Sequence, residues 1–243
     1  MMQENKRRKI SIKDIVYIST TVLLVGGLIT TSILLNVKKN NEVSQDYYDK
    51  KVAQFTMENG NFSKGQIVFI GDSITDLYHL DDYYQDLSLR TYNRGIGGDV
   101  TGMLLKRIQV SLYDLEPTKV VLMIGINDIN GGVSTNTILE NYDNILKGIK
   151  TKLPETKVYT MSILPINNDL PAYIDVDKST ERIVSINEEI KTMSSNYSYQ
   201  YMDLFSLVND DKNHLKKEYS LDGIHLSEQG FVTWTNLIKP ELK

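Results

Sequence analysis

Short apolar runs that alternate with helix-like stretches constrain the fold of this chain more than any other feature. The clearest run, residues 67–70, is Ile-Val-Phe-Ile, which predicts a strand buried on both faces. Further strands are predicted at residues 90–93, 119–124, 157–163 and 199–203. Helices are predicted at residues 100–113, 136–153, 179–195 and 227–238. This alternation predicts an α/β fold in which helices cover both faces of a parallel sheet.

The composition limits the chemistry available to the chain. Its 243 residues are 41% hydrophobic and 24% charged, which suits one α/β domain with an appendage. There is no cysteine, so disulfides, cysteine-ligated zinc and thiol nucleophiles are excluded. The histidines are His79, His214 and His225, and any imidazole chemistry must use one of these three.

Charge is distributed unevenly along the chain. Residues 1–39 carry seven basic and two acidic side chains, a net charge of +5, which leaves −9 on residues 40–243 from the total of −4. An acidic main body argues against nucleic acid or an anionic lipid surface as its partner.

Residues 15–37 predict a membrane-spanning helix. These 23 residues carry no charged side chain, and about 20 apolar residues are enough to cross a bilayer. The basic residues that precede the run favour a cytoplasmic N-terminus and an extracytoplasmic body. A signal peptide that is removed is the alternative, although the run is longer than a typical signal-peptide core and no A-x-A pattern follows it.

These observations predict the organisation of the whole chain. We expect a basic cytoplasmic tail at 1–14, a single-pass signal anchor in the cell membrane at 15–37, and a linker with a short juxtadomain helix at 38–65. The main domain is expected at 66–243. The sequence gives no indication of the oligomeric state.

Four polar motifs are placed next to predicted strands and helices. In chain order they are Gly71-Asp72-Ser73, Asn93-Arg94-Gly95-Ile96-Gly97-Gly98-Asp99, Gly125-Ile126-Asn127-Asp128 and Asp222-Gly223-Ile224-His225. Taken singly, each could be no more than a helix cap or a turn. However, the carboxyl ends of parallel strands share one edge of the sheet, where open α/β folds bind their ligands. We therefore expect the motifs to meet at that edge.

The residue types in these motifs match the needs of acyl transfer. The hydroxyl of Ser73 becomes a useful nucleophile when a base removes its proton, and His225 can act as that base. Asp222, three residues before the histidine, can bind the other imidazole nitrogen and fix the tautomer. The backbone N–H groups of Ser73 and Gly98 and the side-chain amide of Asn127 can donate hydrogen bonds to an oxyanion.

Together the four motifs resemble the SGNH, or GDSL-type, hydrolase superfamily, from about residue 66 to the end of the chain. The second motif, with Leu104 and Arg107 downstream, is similar to the branch that contains the platelet-activating-factor acetylhydrolase catalytic subunits and bacterial esterases and lysophospholipases. The resemblance implies a flavodoxin-like three-layer α/β/α sandwich with about five parallel strands. It implies the same nucleophile, base, carboxylate and oxyanion donors as the chemistry above, with no metal and no cofactor. The first motif continues with Ile74 where the family pattern has leucine.

Other folds and site types lack their signatures. The chain has no G-x-S-x-G motif, no G-x-G-x-x-G motif and no Walker phosphate loop, which disfavours α/β-hydrolases and nucleotide-binding folds. Asp72, Asp99 and Asp128 could form a divalent-metal cluster, but we expect the first two to cap helices and the third to lie in a turn.

Several other residues carry minor expectations. His79 is expected on the surface, with a substrate contact as the alternative, and His214 is expected to be solvated among charged neighbours. Trp234 is expected in the core, and the loop at 166–176 could overhang the site and influence substrate choice.

The sequence therefore predicts a membrane-anchored serine esterase. It would cleave carboxylic esters with small or medium acyl groups, in a small molecule, a glycan or a lipid, through an acyl-enzyme on Ser73. An O-acyltransferase that acts on cell-surface glycan would use the same residues and stays an alternative. A non-catalytic glycan-binding domain is a third hypothesis.

Overall fold

The computed structural model of the protein describes residues 45–169 and 175–243, in which strands and helices alternate. The strands are β1 Ile67–Gly71, β2 Thr91–Gly95, β3 Lys119–Met123, β4 Lys157–Met161 and β5 Gln200–Met202. The helices are α1, described over residues 45–59, α2 Ser73–Asp76, α3 Leu80–Tyr84, α4 Thr101–Ser111, α5 Ile126–Asn130, α6 Thr135–Lys152, α7 Val176–Asn196, α8 Phe205–Val208 and α9 Glu228–Leu242.

The five strands form one parallel sheet in the order β2-β1-β3-β4-β5. All residues of β1 are buried, because this strand has a neighbour on each side and helices over both faces. The order is that of flavodoxin-like folds, which bind ligands at the carboxyl edge next to the first strand. The predicted parallel sheet and flavodoxin-like α/β arrangement are confirmed.

Two neighbouring residues of β4 show that helices cover both faces of the sheet. Successive side chains of a strand point to opposite faces. The hydroxyl of Tyr159 donates to the carbonyl oxygen of Glu241 in α9, at 3.0 Å. The hydroxyl of Thr160 shares a hydrogen bond of 2.6 Å with Ser194 in α7. Helices α7 and α9 therefore lie on opposite faces, and the domain has three layers.

Helix α9 packs on the sheet through a fully buried aromatic cluster. The ring centroid of Trp234 lies 6.2 Å from that of Phe69 in β1 and 4.7 Å from that of Tyr78. Trp234 has no exposed surface, so its predicted core position is confirmed. Ser227 caps the helix, with its hydroxyl accepting from the N–H of Gly230 at 3.3 Å. This packing fixes the start of α9, and with it the end of the loop that carries the last polar motif.

The helix ahead of β1 packs on the domain along residues 48–59. The hydroxyl of Tyr48 donates to the carbonyl oxygen of Met103, at 2.9 Å. Glu58 binds the buried guanidinium of Arg94, with 2.6 Å between Oε2 and Nη1. A helix in this part of the chain was expected from the sequence, and it is present.

The predicted cytoplasmic tail at 1–14 and membrane helix at 15–37 lie outside the described residues. Of the helices that the structure does describe, none combines the length and the apolar character needed to cross a membrane.

Candidate active site

Ser73 and His225 lie within hydrogen-bond distance at the carboxyl edge of the sheet. Ser73 is the first residue of α2, separated from the end of β1 by Asp72 alone, and His225 lies in the loop before α9. Oγ of Ser73 is 2.9 Å from Nε2 of His225, and Nδ1 of His225 is 2.7 Å from Oδ2 of Asp222. In space, the hydroxyl of Ser73 contacts the imidazole, and the imidazole contacts the carboxylate. This is the arrangement that proton transfer from a serine requires.

The loop geometry around Asp222 holds its carboxylate against the imidazole. Oδ1 of Asp222 accepts from the N–H groups of Ile224, at 3.1 Å, and His225, at 2.9 Å, which leaves Oδ2 for the ring. Gly223 has a φ of 98°, a left-handed conformation that favours glycine. Its carbonyl oxygen accepts from the N–H of Asn167, at 3.0 Å, which ties this loop to the segment after β4.

The carboxylate of Asp222 is suited to support a cationic imidazole. Partial burial alone would raise its pKa, but the N–H of His225, the imidazole and the N–H of Ile224 outweigh burial. The pKa of Asp222 therefore lies below its ordinary value. The group is ionised at neutral pH and can stabilise positive charge on the ring.

The three predicted oxyanion donors follow three adjacent strands. Ser73 follows β1, Gly98 lies in the loop after β2, and Asn127 lies in α5 after β3. One amide hydrogen of Asn127 is used by the carbonyl oxygen of Asp99, at 2.9 Å, so the second remains for a ligand. Gly98 is exposed with a φ of 78°, and a Cβ added there would meet no described atom within 4 Å.

The carboxyl of Asp72, next to Ser73, is buried and caps α2 as predicted. Oδ1 accepts from the N–H of Ile74 at 3.0 Å, whereas Oδ2 has no hydrogen-bond partner among the described residues. Burial raises the pKa of Asp72 to about 7, and the nearby carboxyls of Asp99 and Asp128 act in the same direction. This side chain is therefore protonated over much of the acidic range.

We expect the protein to lose stability as the pH rises towards neutrality because of Asp72. The unfolded carboxyl, with its ordinary pKa of 3.8, releases its proton first, while the folded one holds it up to about pH 7. Between these values the native state binds more protons, so the free energy of unfolding falls with pH. A difference from 3.8 to about 7 corresponds to about 4 kcal/mol.

The measurement is urea-induced unfolding at about pH 5 and about pH 8, on the wild type and on Asp72→Asn. Asparagine keeps the helix cap but does not titrate. The wild type should lose more stability between the two pH values than the variant does. Equal losses in the two proteins would contradict the assignment.

Two aspartates take roles that differ from the predicted ones. Asp99 was expected to cap a helix, but the N-cap of α4 is Val100, and the carboxylate of Asp99 forms a buried ion pair with Arg107 at 2.6 Å. Asp128 was expected in a turn, but it lies within α5 and accepts from the N–H and hydroxyl of Thr101, at 2.9 and 2.7 Å. Burial disfavours the charged form of both carboxyls and raises their pKa values. A buried carboxylate therefore needs donors such as Arg107 or Thr101 to stabilise its charge.

His214 is not solvated, contrary to the expectation from its charged neighbours. Its exposed fraction is 7%, and its Nε2 lies 2.9 Å from Oδ1 of Asp177 in α7. The partner is 37 residues away in the sequence, so local composition could not reveal the pair. His79 is exposed, as expected, at the start of α3.

The described residues around the site contain no evident metal centre. Within the described parts of the chain, no group of three histidine, cysteine, aspartate or glutamate side chains could hold a metal ion. The loop expected at 166–176 ends at Asp175, where α7 begins with Val176 as its first residue; residues 170–174 lie outside the described residues, and an influence of this loop on substrate choice stays a prediction.

Comparison with known proteins identifies a family for the domain. Residues 69–231 match the model of the GDSL-like lipase/acylhydrolase family. A platelet-activating factor acetylhydrolase IB subunit alpha2 from Gallus gallus is 30% identical over 102 residues, and the human subunit alpha1 is 31% identical over 103 residues. Each match covers 41% of this chain and 44% of the relative, so the chain spans less than half the length of these curated relatives.

Solved structures extend the likeness to most of the domain. A Streptococcus pneumonia protein described as a candidate platelet activating factor is 30% identical, with a TM-score of 0.79 over 86% of this chain and 99% of that one. A GDSL-like lipase from Bacteroides thetaiotaomicron has a TM-score of 0.70 at 20% identity, over 79% and 96% of the two chains. An acetylxylan esterase from Geobacillus stearothermophilus has a TM-score of 0.61 at 18% identity, over 74% and 95%.

The last two likenesses concern the fold alone because the identities are low, whereas the family model and the streptococcal structure rest on sequence as well. The SGNH resemblance predicted from the four motifs is confirmed. The chain belongs to the GDSL-like lipase/acylhydrolase family, within the SGNH superfamily.

Proposed function

We propose that this protein is a serine esterase that cleaves carboxylic esters with small or medium acyl groups through an acyl-enzyme on Ser73. The observation that carries the proposal is the line of contacts from Oγ of Ser73 to Nε2 of His225, at 2.9 Å, and from Nδ1 to Oδ2 of Asp222, at 2.7 Å. Such a line activates a hydroxyl that is otherwise a weak nucleophile.

In the first half-reaction the ester transfers its acyl group to the enzyme. Oγ of Ser73 attacks the carbonyl carbon while Nε2 of His225 takes the hydroxyl proton, and the carbonyl oxygen becomes an oxyanion. The amide of Asn127 and the backbone N–H groups of Ser73 and Gly98 are proposed to donate hydrogen bonds to it. The C–O bond to the alcohol then breaks, and His225 gives its proton to the departing oxygen.

In the second half-reaction water removes the acyl group. His225 takes a proton from water as the water oxygen attacks the acyl carbon, and a second oxyanion forms at the same donors. The bond to Oγ breaks, the acid leaves, and the proton returns from His225 to Ser73. The ionised Asp222 stabilises the imidazolium in both halves.

The names of the relatives support a small acyl group. The curated relatives are acetylhydrolases, and an acetyl ester needs little room beyond the reacting carbonyl. The alcohol part of the substrate could belong to a small molecule, a glycan or a lipid.

We also propose that the domain is held outside the cytoplasmic membrane by residues 15–37. The support is the uncharged run of 23 residues and the basic residues before it. The full-length protein should sediment with membranes and stay accessible to protease added to cells stripped of their wall. Recovery in the soluble fraction would contradict the proposal.

The purified full-length protein should hydrolyse p-nitrophenyl acetate and butyrate faster than long-chain esters. A panel of acetylated sugars, lysophospholipids and simple acyl esters then identifies the preferred alcohol. Adding glycan acceptors shows whether the acyl group passes to water or to a sugar hydroxyl. Absence of turnover across the panel, together with no labelling of Ser73 by a fluorophosphonate, would exclude the proposed function.

A further inference from the structure

We infer that Arg107 is a positioning residue. It holds the end of β1, which precedes Ser73, and the segments that carry Gly98 and Asn127 in one fixed arrangement. It lies in α4 and is buried, so it acts through other residues and not on the substrate. The inference rests on the proposed function, because it concerns the geometry of the same site.

The guanidinium of Arg107 contacts the ends of two adjacent strands. Nη2 donates to the carbonyl oxygen of Gly71, the last residue of β1, at 2.9 Å. Nη1 donates to the carbonyl oxygen of Arg94 near the end of β2, also at 2.9 Å. Gly71 is two residues before Ser73, so this contact fixes the backbone that carries the nucleophile.

The same guanidinium holds the loop that contains Gly98. Nε of Arg107 donates to Oδ2 of Asp99, at 2.7 Å, and both side chains are fully buried. Asp99 directly follows Gly98, so the ion pair fixes the backbone on one side of the proposed N–H donor. A buried carboxylate is stable only with such a partner, which makes the contact hard to replace.

Asp99 extends the arrangement to the second donor. Its backbone carbonyl oxygen accepts from the side-chain amide of Asn127, at 2.9 Å. An amide nitrogen has two hydrogens in fixed directions, so this bond also sets the direction of the second hydrogen. The position of Arg107 therefore determines where both the Gly98 backbone and the Asn127 amide point.

An arginine is needed at position 107 because its hydrogen-bond partners lie in several different directions around the guanidinium. Its planar guanidinium has five N–H donors in a rigid fork, and here they reach two carbonyl oxygens, one carboxylate and the hydroxyl of Ser111. A lysine keeps the charge but presents one ammonium, which cannot reach strand ends and loop together. Arg107→Lys thus removes the arrangement while keeping a cation in the core.

The test compares Arg107→Lys with the wild type in steady-state hydrolysis of p-nitrophenyl acetate by the full-length protein. Small displacements of catalytic groups can cost up to about 100-fold, so we expect kcat to fall roughly 10- to 100-fold with KM little changed. Oxyanion donors act mainly in the transition state, which is why the loss should appear in kcat.

Arg94→Lys is the matched control. Arg94 is equally buried and also pairs with a carboxylate, that of Glu58, at 2.6 Å. Its side chain points to α1 and lies over the ring of Phe55, at 4.4 Å, and its backbone carbonyl survives the substitution. Both variants should lower the unfolding temperature, but Arg94→Lys should keep the wild-type kcat.

A double variant distinguishes positioning from a general loss of structure. If Arg107 acts through Asn127, then adding Arg107→Lys to Asn127→Ala should cost less than it costs in the wild type. If the loss in kcat of the double variant equals the product of the two single losses, the inference is overturned. A wild-type kcat in Arg107→Lys would overturn it as well.

Two further outcomes are decisive. If Arg107→Lys yields no folded protein, the same kinetics on Asp99→Asn, which loses the ion pair but keeps the backbone carbonyl, decide the question by the same criteria. If the wild type itself has no esterase activity, the proposed function fails. If the wild type is active and these variants match it, only the role of Arg107 fails.

Discussion

Replacing Ser73 by alanine is expected to lower kcat for ester hydrolysis by roughly 10⁵-fold or more, because no acyl-enzyme can form. The hydrogen bond from Ser73 to the ring of His225, at 2.9 Å, is a contact within the site and not within the core. The folded structure and its unfolding temperature should therefore stay close to those of the wild type. The measurement combines steady-state kinetics with labelling by a fluorophosphonate, which should be lost.

Ser195→Ala is a suitable control for this change. Ser195 is an exposed serine near the end of α7, remote from the carboxyl edge of the sheet. This variant should keep wild-type activity and full labelling. Full activity in Ser73→Ala would overturn the assignment of the nucleophile, whatever the labelling shows.

Replacing His225 by alanine is expected to lower kcat by about 10³-fold or more, since the proton of Ser73 then has no acceptor. Asp222→Ala should cost less, because the imidazole can still act as a base once its orienting carboxylate is gone. Both effects should be seen as slower labelling as well as slower turnover. KM should change less than kcat, because the lost interactions belong to the transition state.

The chain offers a matched control for the histidine. His214 also binds an aspartate, Asp177, at 2.9 Å, against 2.7 Å between His225 and Asp222. His214→Ala removes a buried imidazole together with its contact to the exposed carboxylate of Asp177 and should lower stability, but we expect its kcat to stay near that of the wild type. If the two histidine variants lost activity equally, the loss would come from folding and not from the missing base.

The sheet could be predicted because most of its strands correspond to short apolar runs in the sequence. β1 and β3 are apolar runs buried on both faces, and such runs alternate with stretches long enough for helices. The polar motifs could be placed together because parallel strands end at one edge. The ends of elements were less predictable: β4 stops at Met161, two residues early, and α7 begins at Val176, three residues early.

Contacts between distant segments explain what the sequence did not reveal. Helices α2, α3, α5 and α8 have four or five residues each, too few for a repeating apolar pattern. The pairing of Asp99 with Arg107 depends on how α4 lies over the strand ends, which spacing along the chain does not define. The sequence analysis noted Arg107 only as part of the family resemblance. The residues that it contacts become known only when the fold is known.

The hydroxyl of Ser73 and the imidazole that contacts it are separated by 152 positions in the chain. During synthesis the ribosome releases the nucleophile long before it releases the base. Under the proposed function, the contact between base and nucleophile can form only after α9 has packed on the sheet, so the order of translation delays the chemistry until the domain is complete.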